Sequence, residues 1–190
     1  MEAATQGEAL RQGKGHPARN HEDQRMKSTD VLPFAQWAEI SRTERFISIE
    51  TLSGYSMVQR EDDGYVVNLA PGAADEELGR ALLEALKWSR FIWPPDEWGF
   101  FEAERYEQCY QNWEKDIMQR YGYKSTRDLH KNMDWCRAKR SEGKILIRPH
   151  KRDKPGYWSD LPRERDVVIA ETNNAAAVGA ALRLALDRCE

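Results

Sequence analysis

The sequence predicts an α+β fold in which a mostly antiparallel sheet is assembled from two β-β-β-α halves, with a helical insertion between them. Three observations predict it. Runs of β-branched and aromatic residues, separated by turn residues, occur in both halves of the 190-residue chain. A helix of one pattern follows each set: Gly79-x-Ala81-Leu82-x-x-Ala85-Leu86 in the first half and Gly179-x-Ala181-Leu182-x-x-Ala185-Leu186 in the second. The segment between them carries large apolar residues at helical spacing instead.

Residues 1–27 hold almost no large apolar side chains, so they bury too little to offset the entropy of ordering and are expected to form a disordered leader. Met26 lies just before the first structured segment and is an alternative start. Residues 28–190 form the single expected domain. It opens with a helix over 28–41, capped by Ser28, Thr29 or Asp30, with Phe34, Trp37 and Ile40 on one side. The first half covers 44–90. Its runs Phe46-Ile47-Ser48-Ile49, Tyr55-Ser56-Met57-Val58 and Tyr65-Val66-Val67-Asn68-Leu69 read as a meander with turns at Ser53-Gly54 and Asp62-Asp63-Gly64. Asp75, Glu76 and Glu77 then begin a helix burying Leu78, Leu82, Ala85 and Leu86.

The insertion spans 91–134. Pro94 and Pro95 bias Trp93 towards an extended conformation, and Asp96 with Glu97 opens a long helix carrying Tyr106, Tyr110, Trp113, Ile117 and Tyr121 at helical spacing. That stripe reads as core. Gly122 stops the helix in a left-handed conformation, and Ser125 with Asp128 caps a second one burying Leu129 and Met133. The second half, 135–190, repeats the first: strands at Trp135 to Lys139, Lys144 to Arg148 and Asp166 to Ala170, a turn at Ser141-Glu142-Gly143, and a helix capped by Asn173 or Asn174 that runs to Cys189.

Hydrophobic residues make up 40% of the chain and charged residues 32%, with a net charge of −3 that disfavours general binding to phosphate backbones. The total hides a segregation. Residues 61–118 carry a net −9 and residues 119–165 a net +8. The exposed acids of the long helix read either as a solvated face or as a surface that steers a basic partner. The basic segment either pairs with the acidic one inside the fold or offers a nucleic-acid surface.

No apolar run is long enough to span a membrane, and no signal peptide opens the chain, so a cytoplasmic protein is expected. Cys109, Cys136 and Cys189 are too widely spaced for a disulfide framework or a zinc site, and His16, His21, His130 and His150 add no ligand spacing. Gly13-Lys14-Gly15 has no strand before it, and Gly54-Tyr55-Ser56 lacks the flanking glycines of a nucleophile elbow. Catalytic residues, a cofactor and a metal are therefore expected to be absent, and the protein is not read as an enzyme. Of the seven tryptophans, Trp37, Trp88, Trp113 and Trp135 fall where core packing explains them. Trp93, Trp98 and Trp158 sit in Pro- or Gly-rich connections, where a partner's footprint is expected.

The blocks Asp75-Glu76-Glu77-Leu78-Gly79 through Ser89-Arg90-Phe91, Met118-Gln119-Arg120-Tyr121-Gly122-Tyr123-Lys124-Ser125, Lys131-Asn132-Met133, Ile145-Leu146-Ile147-Arg148-Pro149 and Lys154-Pro155-Gly156-Tyr157-Trp158 occur in this order ahead of the closing Gly179 helix. Over about residues 44–189 this series resembles the contact-dependent growth inhibition (CDI) immunity proteins, the CdiI family. The resemblance implies a cytoplasmic protein that binds the C-terminal toxin domain of a large secreted contact-dependent inhibitor and blocks its activity, with a nuclease as the expected toxin. No direct nucleic-acid binding, no membrane contact and a monomer or weak dimer are expected. Asp96, Glu97, Trp98, Glu102, Glu104 and Glu107, with Trp93 and Trp158, are the candidate toxin-binding residues, the acids standing in for the phosphates a nuclease binds. A toxin hairpin added to an edge strand is a second mode. The alternatives are an RNA-binding module using the basic 119–165 segment, or a small enzyme without a recognisable motif.

Overall fold

The computed structural model describes residues 34–93 and 97–190. The leader, the caps proposed at residues 28–30, and Asp96 lie outside the described residues. Among the described residues eight strands form an antiparallel sheet: β1 (Gln36–Arg42), β2 (Ile47–Gly54), β3 (Val58–Arg60), β4 (Val66–Leu69), β5 (Asp134–Ser141), β6 (Lys144–Lys154), β7 (Tyr157–Asp160) and β8 (Val167–Ala170). The main path runs β3-β2-β1-β5-β6-β7, with β4 on β2 and β8 on β6. Helices α1 (Asp75–Trp88), α2 (Ala103–Tyr121), α3 (Thr126–His130) and α4 (Ala175–Leu186) complete the fold.

The N-terminal helix expected over 28–41 is corrected by β1. Trp37 and Ile40 occur at a spacing that suits a helix, but Ala38 and Ile40 alternate with Trp37, Glu39 and Ser41, which is the period of a strand with two different faces. Ala38 and Ile40 pair with Ala138 and Cys136 of β5, so β1 zips the two halves together at the centre of the sheet. The first half therefore starts near residue 36.

The meander is also corrected. β3 and β4 pair not with each other but with β2, one beyond the other along a single edge: Leu52 to Gly54 face Val58 to Arg60, and Ile47 to Glu50 face Val66 to Leu69. Ser53-Gly54 belongs to β2, the chain reverses at 55–57, and Asp62-Asp63-Gly64 forms an outward excursion in one interrupted strand. The second half does the same on β6, where β7 faces His150 to Lys154 and β8 faces Lys144 to Ile147. The two halves thus share a plan of two strands, an interrupted third and a helix. The long insertion helix starts at Ala103, after a 3-10 turn over Trp98–Phe101, rather than at Asp96.

Both repeat helices lie on one face of the sheet. Ile40, Ile47, Ile49, Cys136, Ala138, Ile145 and Ile147 meet Leu78, Leu82, Leu86, Val178, Leu182 and Leu186 in one core, all but fully buried. Each Ile or Leu there contributes about 1.5–3 kcal/mol over an exposed position. The close helix crossing depends on the paired glycines: a Cβ at Gly79 would lie 1.8 Å from the Ala175 carbonyl oxygen, and one at Gly179 would lie 1.7 Å from that of Asp75. Around the crossing, Arg183 Nε donates to Asp75 Oδ1 at 2.6 Å.

The insertion has a core of its own. Phe46, Ile117, Tyr123, Leu129 and Met133 form a second buried cluster, with Phe46 stacked on Tyr121 at 4.7 Å. Gly122 ends α2 at φ 70°, and Ser125 Oγ accepts the Asp128 N–H at 3.1 Å, the two devices expected from sequence.

Candidate functional site

The acidic residues gather along the start of α2 and the loops beside it. Glu102, Glu104 and Glu107 are exposed, and Trp98 at the head of the 3-10 turn is 69% exposed. Trp93, 39% exposed, meets the Tyr55 ring edge-on at 5.2 Å, and Tyr55 in turn meets Phe101 at 5.9 Å, so an aromatic chain joins Trp93 to the turn that carries Trp98. Glu97 lies further along the same edge, where its carboxylate accepts from Arg90 at 3.1 Å.

An open cleft of about 510 Å³ separates this turn from the 61–64 excursion and is lined by Glu61, Asp62, Asp63, Arg90, Glu97 and Arg105. Arg90 spans it by donating to Glu61 at 2.6 Å as well as to Glu97. Arg105 donates to Asp62 at 3.0 Å and stacks on Phe100 at 4.2 Å. The Cys109 thiol donates to Asp62 at 2.9 Å, and that bond together with Arg105 holds the Asp62 carboxyl below its usual range. Glu102, Glu104 and Glu107, by contrast, make no ion pair among the described residues. Negative charge without an ion-pair partner among the described residues is therefore found at the start of α2 and at Asp63 in the cleft.

A second cleft, about 420 Å³, opens on the face of the sheet away from α1 and α4. Its floor is a buried ion network drawn from three strands. Glu39 of β1 and Glu50 of β2 stand directly opposite each other, a repulsive placement. Arg60 of β3 resolves it, donating to Glu50 at 2.8 Å and to Glu39. Burial pushes the Glu50 carboxyl up while Arg60 pulls against that shift, and Ser48 Oγ donates to the same group at 2.9 Å. The Arg60 guanidinium lies under the rings of Trp113 and Tyr110, at 4.7 and 5.2 Å. Tyr110 Oη meets His130 Nε2 at 3.1 Å, and burial lowers the His130 pKa, so the imidazole is neutral against Glu114 at neutral pH.

Trp158 belongs to this second cleft and not to the acidic edge. It sits half-buried on β7, an element expected as a connection, with its indole N–H donating to the Met133 carbonyl at 3.3 Å. Trp88 is corrected in the other direction: it is 52% exposed, and its indole N–H donates to Glu84 at 2.9 Å. The structure thus brings together Glu97, Trp98, Glu102, Glu104, Glu107 and Trp93 but separates Trp158 from them. Sequence reasoning missed the 61–63 acids as neighbours of Glu97, and it missed the Glu39, Arg60 and Glu50 network. The only trace of the latter is Glu50 two positions from Ser48, on the opposite face from Ile47 and Ile49.

The charge segregation has a simple internal consequence. Arg120, Arg140, Arg148 and Arg165 pair with Asp116, Glu171, Asp166 and Glu190. Only the first of these partners lies in the acidic segment, the others following the basic one in sequence, so the two segments do not neutralise each other as a block.

The described residues thus form a helix-backed antiparallel sheet with an acidic, tryptophan-bearing edge, and no cluster of metal-binding side chains is found among them. The family model for the CDI immunity protein, CdiI, matches residues 36–189, and the chain belongs to that family. The immunity protein CdiI-YPIII of Yersinia pseudotuberculosis serotype O:3 (strain YPIII) is 31% identical over 175 residues, covering 85% of this chain and 98% of that protein. Among solved structures, a CdiA-CT/CdiI toxin and immunity complex from Yersinia pseudotuberculosis aligns with a TM-score of 0.77 at 28% identity, over 83% of this chain and 98% of the other. A protein of unknown function from Neisseria meningitidis, NMB0488, also aligns at 0.77, with 30% identity over 86% of this chain and 100% of its own.

Proposed function

We propose that the chain binds the toxin domain of its cognate contact-dependent inhibitor in the cytoplasm of the producing cell and neutralises it by occlusion, without catalysis, and that this toxin is a nuclease. The toxin meets the edge formed by Trp93, Glu97, Trp98, Glu102, Glu104 and Glu107. The observation that carries this reading is the combination of three exposed carboxylates at the start of α2, Glu102 at its N-cap and Glu104 and Glu107 in its first turns, none in an ion pair among the described residues, with a 69% exposed tryptophan four residues before the first of them. Unpaired acids raise the rate of encounter with a cationic nucleic-acid-binding surface, and an exposed tryptophan supplies the desolvated anchor that interfaces concentrate their energy in. The RNA-binding reading is weaker, because four arginines of the 119–165 segment already hold carboxylates.

The test is a titration of the purified chain against the toxin domain encoded beside it. Trp98→Ala is expected to weaken binding about tenfold or more. Reversal at Glu104 and Glu107 to lysine is expected to slow association and to flatten its dependence on salt. Unchanged affinity and unchanged salt dependence in both variants would remove the edge from the interface. If a proline placed in β4 or β8 abolished binding instead, hairpin addition at a sheet edge would replace this reading.

A further inference from the structure

Two cysteines distant in sequence lie against each other where the halves of the fold meet its C-terminus. Cys136 is fully buried on β5, locked between Ile40 of β1 and Pro149 of β6 in the antiparallel ladder. Cys189 lies three residues beyond α4, and its Sγ is 3.5 Å from that of Cys136. All three cysteines of the chain are free, and the third, Cys109, is on α2 beside Asp62. Among the described residues no third ligand joins the pair to make a metal site.

We propose that Cys136 and Cys189 are a modification site, a thiol pair that a peroxide converts to a reversible intramolecular disulfide. A disulfide needs its sulfurs at about 2.05 Å, so the pair must close by roughly 1.5 Å. Cys136 is held on both sides by the sheet. Cys189 is held by the short C-terminal tail, where Glu190 N donates to the His150 carbonyl at 3.3 Å and Arg152 N to the Glu190 carbonyl at 2.6 Å. The tail is the part that moves.

The roles follow from the surroundings. Burial in the dry core holds the Cys136 thiol in its protonated form, whereas the Cys189 thiol is lowered, chiefly by its contact with Cys136. Cys189 is the more exposed of the two and attacks first. Its sulfur takes one oxygen from hydrogen peroxide as the O–O bond breaks, giving a sulfenic acid and one water. Cys136 sulfur then attacks Cys189 sulfur, the S–O bond breaks, and hydroxide leaves with the Cys136 proton as a second water. The two thiols lose two electrons, and one peroxide becomes two waters. A dithiol reductant reverses the bond by exchange. The clasp ties the end of α4 to the central strand pair, and it closes a long loop of chain.

The experiment treats the full chain with hydrogen peroxide and reads intact mass, free thiols and peptide linkage. The expected result is a loss of about 2 Da that dithiothreitol restores, a fall from three titratable thiols to one, and a Cys136 to Cys189 cross-linked peptide. Cys109→Ser is expected to keep the cross-link. Cys136→Ser is expected to leave a sulfenic acid at Cys189 that dimedone traps. Oxidised protein is expected to melt roughly 10 °C higher, because the cross-link restricts the unfolded chain. Three thiols persisting under peroxide, oxygen added at Cys189 without a cross-link, or a lower Tm in the cross-linked protein would each overturn the proposal.

Discussion

Replacing Gly79 by alanine tests whether the two repeat helices cross as closely as the structure shows. In an ordinary helix interior the change stabilises, by up to about 1 kcal/mol. Here the added Cβ meets the Ala175 carbonyl oxygen at 1.8 Å and the Gly179 nitrogen at 2.7 Å, against an ordinary contact of about 3.5 Å. The obstacle is backbone, which cannot swing aside as a side chain does. The helices must part, loosening Leu82 and Leu86 from Leu182 and Leu186. Overpacking of this kind costs about 1–3 kcal/mol and more where backbone is struck, so the net expectation is a loss of about 2–3 kcal/mol after the helix-propensity gain. Urea unfolding measures it directly, and thermal unfolding should show Tm lower by roughly 5–10 °C. Gly72→Ala, whose Cβ would meet nothing within 4 Å, is the control and should move stability by no more than about 0.5 kcal/mol. The double variant Gly79→Ala, Gly179→Ala should cost less than the sum of the singles, because one separation accommodates both methyl groups. A Gly79→Ala protein as stable as the parent, or more stable, would refute the crossing.

Two further predictions concern buried charge. Arg60→Met leaves Glu39 and Glu50 facing each other with no cation and should cost about 3–5 kcal/mol in urea unfolding; adding Glu39→Gln and Glu50→Gln to it should recover much of the loss. His150 is buried near Arg137 and Arg148, and its pKa is lowered to about 4, chiefly by desolvation. The unfolded imidazole titrates near 6.5, so between these values the unfolded state binds the extra proton. Its contribution is therefore complete above pH 6.5 and fades as the pH falls towards 4, by up to about 3 kcal/mol; in His150→Phe the part of the acid-induced loss due to this group should be missing from stability measured across that range.

The corrections share a cause. Most elements that keep one face in the common core are legible by period: α1 and α4 by their matching Gly, Ala and Leu positions, and β5, β6 and β8 by alternation between turn residues. Local signals were equally legible where the chain itself makes the bond, as at Gly122 and Ser125. β1 is ambiguous because Trp37 and Ile40 sit at helical spacing while Ala38 and Ile40 sit at strand spacing, and the partner that decides between them, β5, is about a hundred residues away. The Asp62-Asp63-Gly64 turn was read correctly as a break but wrongly as a reversal, since only pairing with β2 shows that the chain resumes along the same edge.

The sequence by itself determined the fold class, the duplicated plan and the segregation of charge, because periodicity, capping and composition are properties of neighbouring residues. It also carried the resemblance to the immunity family, through the order of many ordinary blocks. The tertiary structure decided what those residues face. It set Glu39, Glu50 and Arg60 together from three strands, moved Trp158 from the acidic edge to the other cleft, exposed Trp88, and placed Cys136 against Cys189. Each of these depends on strand register or helix placement, and a one-residue slip in register would turn the strand residues Glu39, Glu50, Arg60, Cys136 and Trp158 to the other face of the sheet.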